Sequence, residues 1–384
     1  MVSMGLNSMK GYRVMMSISD YSLKVLREET DELAIALLNL LNSDKEILYS
    51  LSVPLIPILS TVCNGWVEYA EVNSNDGCSI QIAENPFSKL IKALRLGNKL
   101  YTDKKMNKSN RLIKRRGEAY LDNITRNYNC IQKLFINLFG QEDLGVFYYK
   151  NKVYGNTYQY LHYLSPIFEV LGDTLPEVWS NQIGEILAFI SEELSNIISK
   201  LASKDAVLSI SSVDIDAALL AAKDFCLFDK YHKNFLGGRL GVEIQIYLFN
   251  LMCQNIFINT ILPTLHNWKS TLLDRLKIQT YLTSINGLNR IGKYRDKFTN
   301  PVISKINKII QIKEKIFAKS QLRNNIFHYQ LDVPIDVIDS HSNAFITQIE
   351  YYSGIKYDSF MRTVVNQTEE INQVIRELIR FDSI

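Results

Sequence analysis

Residues 322–329 read Leu-Arg-Asn-Asn-Ile-Phe-His-Tyr, and two of them bear chemistry at a spacing one site can use. Arg323 carries a planar, permanently charged fork of donors that matches phosphate oxygens. His328 takes or gives a proton near neutral pH. Asn324 adds a polar group directly after the arginine, and Tyr329 a hydroxyl directly after the histidine. That set suits a phosphate ester, with a cation on its oxygens and a base or acid on the oxygen that attacks or leaves. Taken singly, each residue has a plain structural reading. A histidine at a helix C-terminus is stabilised by the macrodipole, and an arginine there caps carbonyls or pairs with an acid.

These residues need a scaffold. Asn300 is a favoured N-cap residue type and Pro301 suits the first helical position, where its missing N–H would be unpaired anyway. Ile306, Ile309, Ile310, Phe317 and Phe327 recur at mostly three- and four-residue steps, the period of a half-buried helix. Pro334 disfavours helix at Val333. The pattern predicts one helix over 301–330, roughly thirty residues and about 45 Å long. Residues five apart on a helix lie about 140° apart around its axis. Arg323 and His328 therefore reach one cleft only if a second helix packs across the helix end.

Arg323-Asn324-Asn325-Ile326-Phe327-His328, with a long helix before it and another after it, resembles the R-x4–6-H signature of the HEPN superfamily. The resemblance covers at most residues 240–384. It implies a HEPN-like helical bundle, a homodimer in which the symmetric partner supplies the second helix, and a metal-independent endoribonuclease with no cofactor. In that reading RNA is the partner and is cleaved by attack of its own 2′-hydroxyl, leaving a 2′,3′-cyclic phosphate. His328 is the general base or acid, Arg323 stabilises the phosphoryl oxygens, and Asn324 orients the histidine or contacts phosphate. Tyr329 is a candidate substrate contact. The resemblance also suggests a toxin or antiviral defence effector against phage. An alternative reading makes the bundle a non-catalytic dimerisation, RNA-binding or regulatory module. A third is a helical interaction protein with a chance motif, which predicts a monomer without RNA affinity.

The chain has 384 residues, 47% hydrophobic and 22% charged, with a net charge of +3. That allows one large or two ordinary soluble domains. Five scattered cysteines (63, 78, 130, 226 and 253) with no C-x-x-C suggest reduced thiols in a cytoplasmic protein. Cys63 and Cys78 are open to approach across a hairpin or to simple burial. Met1 to Arg13 lacks the apolar stretch of a secretory signal. Val242 to Leu265 comes closest to a membrane span but is interrupted by polar residues, so it reads as a buried soluble helix.

The expected class is mainly α: a mostly helical N-terminal domain over 1–235 with one or two small β-hairpins, then the HEPN-like bundle over 236–384. The first domain is expected to sense, or to recognise substrate or a regulatory partner protein. Helix spacing runs over 20–49, and Val53-Pro54 and Ile56-Pro57 are expected to break it. Alternation from Trp66 to Ile82 around Asp76-Gly77 predicts a hairpin, and Phe147 to Tyr154 a second around Lys150-Asn151-Lys152. Residues 104–116 hold Lys104, Lys105, Lys108, Arg111, Lys114, Arg115 and Arg116 without an acid between them. Such a run is either a phosphate-backbone contact or a solvated face. Tyrosines 148, 149, 154, 158, 160 and 163 are open to base stacking or to core packing.

Further helices are expected over 120–138, ended by Gly140, and over 183–201. Ser203 to Asp216 reads as a linker or an edge strand. In the C-terminal region the helices span 242–262, 267–296, 301–330 and 357–380. Alternation over 345–350 predicts a short strand or covering loop beside the Arg-His helix end, a candidate lid. The chain lacks the glycine-lysine phosphate loop, the H-E-x-x-H and paired metal spacings, and the G-x-S-x-G elbow.

Overall fold

The computed structural model describes residues 18–72, 91–92, 94–95, 122, 125–126, 128–163, 179–207, 215–227, 235–265, 270–329, 331–334, 337–338 and 343–381. The protein is mainly helical with one small antiparallel sheet. In chain order the elements are α1 (Ile18–Leu41), α2 (Lys45–Val72), α3 (Cys130–Phe139), β1 (Leu144–Tyr149), β2 (Lys152–Asn156), α4 (Trp179–Leu201), the short α5 (Lys204–Val207), β3 (Leu220–Phe225) and α6 (Val242–Ile256). There follow α7 (Thr271–Ile291), α8 (Asn300–Ile316), α9 (Ser320–Phe327), α10 (Ala344–Ser353) and α11 (Tyr357–Ile379).

Two apolar clusters hold these elements. In one, α6, α7, α8 and α11 pack around Phe249, Tyr281, Phe317 and Phe360, with Phe317 edge-on to Phe360 at 5.4 Å. In the other, α1, α2 and α4 pack against the continuation of α6 and the first turns of α7 through Phe257, Leu265, Leu272 and Leu276. Residues on both sides of position 235 contribute to both clusters. The sheet, ordered β2-β1-β3, lies on α6. Buried amides tie helices together inside this core: Asn255 on α6 donates to Ser284 on α7 at 3.0 Å and to Asn372 on α11 at 2.9 Å.

Several sequence expectations are corrected. α2 runs through Pro54 and Pro57 instead of breaking there. Proline frees the carbonyl four residues back, and Ser50, four before Pro54, has its carbonyl taken by the Tyr154 hydroxyl at 3.4 Å. Trp66 to Val72 is the end of α2 and not a strand, while the rest of that expected hairpin lies outside the described residues. The second hairpin is present as β1 and β2, turning at Lys150 and Asn151, both at positive φ. The helix ended by Gly140 starts at Cys130 under a capping box made by Asn129 and Gln132; residues 122, 125 and 126 of the expected stretch are helical, and Tyr128 and Asn129 interrupt it.

The long helix over 301–330 is two helices. α8 stops at Ile316 and α9 starts at Ser320. Phe317 keeps the helical spacing in sequence, but its ring is seated against Tyr281 and Phe360 while its backbone leaves helical geometry. The N-cap of α8 is Thr299, so Asn300 is its first residue. The candidate lid is helical: Asn343 caps α10, which Phe345 and Ile349 anchor in the core.

Two stretches are long and apolar enough to cross a membrane by length and composition, Lys45–Glu71 and Val242–Leu265. Both bury most of that surface in the chain's own core, 67% and 78% of the apolar window.

Candidate functional site

The arginine-histidine pair sits on α9, a helix of eight residues that would be marginal alone. Side chains from elsewhere secure it. A helix leaves its last carbonyls without intrahelical donors, and here three side chains from outside α9 fill that need. Arg275 Nη1 on α7 donates to the Asn325 and Ile326 carbonyls, each at 3.1 Å. Gln279, one turn on, donates to the Ile326 carbonyl at 2.8 Å. Arg95 Nη2 donates to the Phe327 carbonyl at 2.9 Å.

Arg275 is itself fixed. Its Nε lies 2.8 Å from both carboxylate oxygens of Glu29 on α1, deep in the protein. Burial pushes the Glu29 carboxyl above its ordinary range, against the opposing pull of Arg275 and the Tyr329 hydroxyl. The Arg275 guanidinium lies between the rings of Tyr329 and Phe345, 4.4 and 4.8 Å from their centroids. Gly65 on α2 makes room for the Tyr329 ring, since a Cβ there would come within 2.5 Å of it. Tyr329 therefore faces inward: its hydroxyl donates to Glu29 at 2.7 Å. Through that bond it braces the end of α9 against α1.

His328 is the residue at which α9 stops. Its backbone is extended (φ −125°, ψ 131°), so its side chain leaves the helical path on which Arg323 lies. The second helix needed across the helix end is α2 of the same chain. His328 Nδ1 lies 3.2 Å from both oxygens of Glu68. Asn64, one turn earlier on α2, donates to Glu68 Oε1 at 2.9 Å. Burial by itself would raise the Glu68 carboxyl. The hydrogen bonds from His328 and Asn64 and the charges of His328 and Arg95 outweigh it and hold Glu68 below the usual range.

An ionised carboxylate only accepts hydrogen bonds, so Nδ1 carries the proton of this contact. In the neutral imidazole that leaves the Nε2 lone pair as the basic site. Glu68 thus fixes the tautomer and the ring plane, as the orienting carboxylate does in base-activated nucleophile sites. Both side chains remain partly open, 34% exposed for His328 and 28% for Glu68.

Arg323 is exposed, and its guanidinium carbon lies 5.8 Å from the centroid of the Phe327 ring. Arg95 approaches the same ring at 5.8 Å. Asn324 is exposed, and its carbonyl accepts the His328 backbone N–H at 2.8 Å. The exposed Arg323 and the buried Arg95 thus both approach the Phe327 ring, and the partly open imidazole of His328 follows it in the chain.

Comparison with protein-family models, with curated proteins and with solved structures was made for the whole chain. None of the three finds a match.

Lys104, Lys105, Lys108, Arg111, Lys114, Arg115 and Arg116 lie outside the described residues. Tyrosines 148, 149, 154, 158 and 163 are buried in the two cores, and Tyr160 stacks on Phe147 at 5.2 Å, so this cluster is packing. Sequence reasoning missed Glu68, Asn64 and Arg95. Asn64 and Glu68 are one turn apart on α2, a spacing shared by countless surface pairs.

Proposed function

We propose that the protein is a HEPN-type endoribonuclease that cleaves RNA by internal transfer at His328 and Arg323. The observation that carries this reading is the Glu68–His328 contact: a carboxylate fixes Nδ1, and Nε2 has no partner among the described residues. A histidine kept only for helix stability needs no orienting carboxylate across the fold.

In the proposed step, His328 Nε2 takes the proton of a ribose 2′-hydroxyl. The 2′-oxygen bonds to the adjacent phosphorus and the bond from phosphorus to the 5′-oxygen breaks. The proton held on Nε2 passes to that leaving oxygen, so His328 ends as it began. Arg323 faces the charge that builds on the non-bridging oxygens. The products are a 2′,3′-cyclic phosphate and a 5′-hydroxyl. Glu68 stabilises the imidazolium formed midway, by about 10²–10⁴-fold in rate together with the proton transfer it assists.

A homodimer belongs to the same proposal, as does a role as a toxin or anti-phage effector; both rest on the resemblance. The second helix over the site is supplied within the chain by α2. Purified protein incubated with RNA in EDTA tests the reading, with His328→Ala, Arg323→Ala and Glu68→Gln beside the wild type. Cleavage that yields cyclic-phosphate ends and is lost in the first two variants supports it. Cleavage that survives His328→Ala, or no cleavage by folded wild type and no RNA-dependent shift in its oligomeric state, contradicts it.

A further inference from the structure

Arg95 is 5% exposed, yet among the described residues no carboxylate comes within ion-pair distance of it. The oxygens of Glu68, whose charge acts on Arg95, are engaged by His328 and Asn64. Its Nη2 is spent on the Phe327 carbonyl, and its buried Nε has no hydrogen-bond partner among the described residues. Burial alone already weighs against its charge, lowering its pKa in spite of Glu68. A buried cation with an open donor is among the least stable arrangements a fold can hold, and it calls for an anion.

The space for one is present. Arg95 lines a partly open cavity of about 40 Å³ between α2, α6 and α7, together with Thr61, Gln254, Gln279, Thr283 and Phe327. At about 10–15 Å³ per water, that is room for about three waters or for the oxygens of one phosphoryl group. Gln254 and Thr283 add an amide and a hydroxyl able to donate. Phe327 closes the side toward α9 and is followed directly by His328.

We propose that this cavity is a subsite for a single phosphoryl oxyanion, bound by the Arg95 guanidinium with help from Gln254 and Thr283. Anion binding stands on the geometry of Arg95 alone. Its assignment to a backbone phosphate of RNA rests on the proposed cleavage reaction.

Titration calorimetry with inorganic phosphate tests the site, on wild type, Arg95→Gln and Thr283→Val, each checked for folding by circular dichroism. Saturable binding by the wild type, weakened about tenfold or more in Arg95→Gln and several-fold in Thr283→Val, is expected from the loss of a charge-assisted and a neutral hydrogen bond. Thr283→Val removes no charge and keeps the test alive if Arg95→Gln does not fold. Competition by a 2′-O-methyl oligonucleotide, which cannot be cleaved, assigns the anion to a nucleic-acid backbone. Phosphate binding that the oligonucleotide leaves unchanged assigns it to a free oxyanion. No saturable binding by the wild type, or equal affinity in both variants, overturns the subsite. Cleavage lost in His328→Ala reports on the reaction separately, so either reading can fail alone.

Discussion

Arg275 and Arg95 are both buried at the end of α9, and both donate to its last carbonyls. Arg275 is neutralised inside the fold by Glu29 and stacked between two rings. Arg95 has the Phe327 carbonyl and ring and the charge of Glu68, but no ion pair among the described residues. Each device in the Arg275 network is used up within the protein. Around Arg95, Arg323 and His328, donors and a basic nitrogen are left over. The contrast separates a scaffold from a site. Groups whose bonding is complete hold the helix end in place, and groups whose bonding is incomplete are the ones a ligand can complete.

Breaking the scaffold has the largest expected effect. Arg275→Met strands Glu29 as an uncompensated buried charge, and destabilisation of about 3–5 kcal/mol is expected in urea unfolding. Adding Glu29→Gln to that variant recovers part of the loss, because no charge is then stranded. Overpacking the brace comes next. Gly65→Ala drives a methyl into the Tyr329 ring and into Leu26, and about 1–3 kcal/mol of stability is lost in the same assay. Arg95→Met sharpens the comparison, because it removes one hydrogen bond to a carbonyl and no ion pair. In phosphate-free buffer its unfolding free energy is expected within about 1 kcal/mol of wild type. A loss as large as that of Arg275→Met would erase the distinction between the two arginines.

The smallest effect is the pH dependence contributed by Glu68. Its folded pKa is depressed below the ordinary 4.5. The stabilisation it brings is therefore fully present above the unfolded value and is lost as pH falls through the folded one. Because the pair is partly exposed, solvent screening keeps this below about 1 kcal/mol. Urea midpoints taken between neutral and acidic pH are expected to fall less steeply for Glu68→Gln than for wild type.

Much of this was legible in the chain itself. α7, α8 and α11 follow from helical spacing, and β1–β2 from its turn residues. The break between α8 and α9 was not legible, because Phe317 keeps the apolar period while its backbone departs from it. Alternation from Trp66 onward imitates a strand, although Val67, Tyr69 and Glu71 ride on a helix. In the site, Arg323 and His328 declare themselves by type and spacing. Their partners do not: Glu68 is 260 residues from His328 in sequence, and Arg95 is 232 from Phe327. Contacts made only by folding leave no local pattern to read.

The central claim is that Glu68 orients His328 for proton transfer, and the kinetics of RNA cleavage in EDTA by wild type and Glu68→Gln test it most directly. Glu68→Gln should stay folded and lower kcat at least about tenfold while leaving KM near the wild-type value, because the imidazole is no longer held for proton transfer although the substrate contacts remain. A folded Glu68→Gln variant with the wild-type kcat would contradict the account.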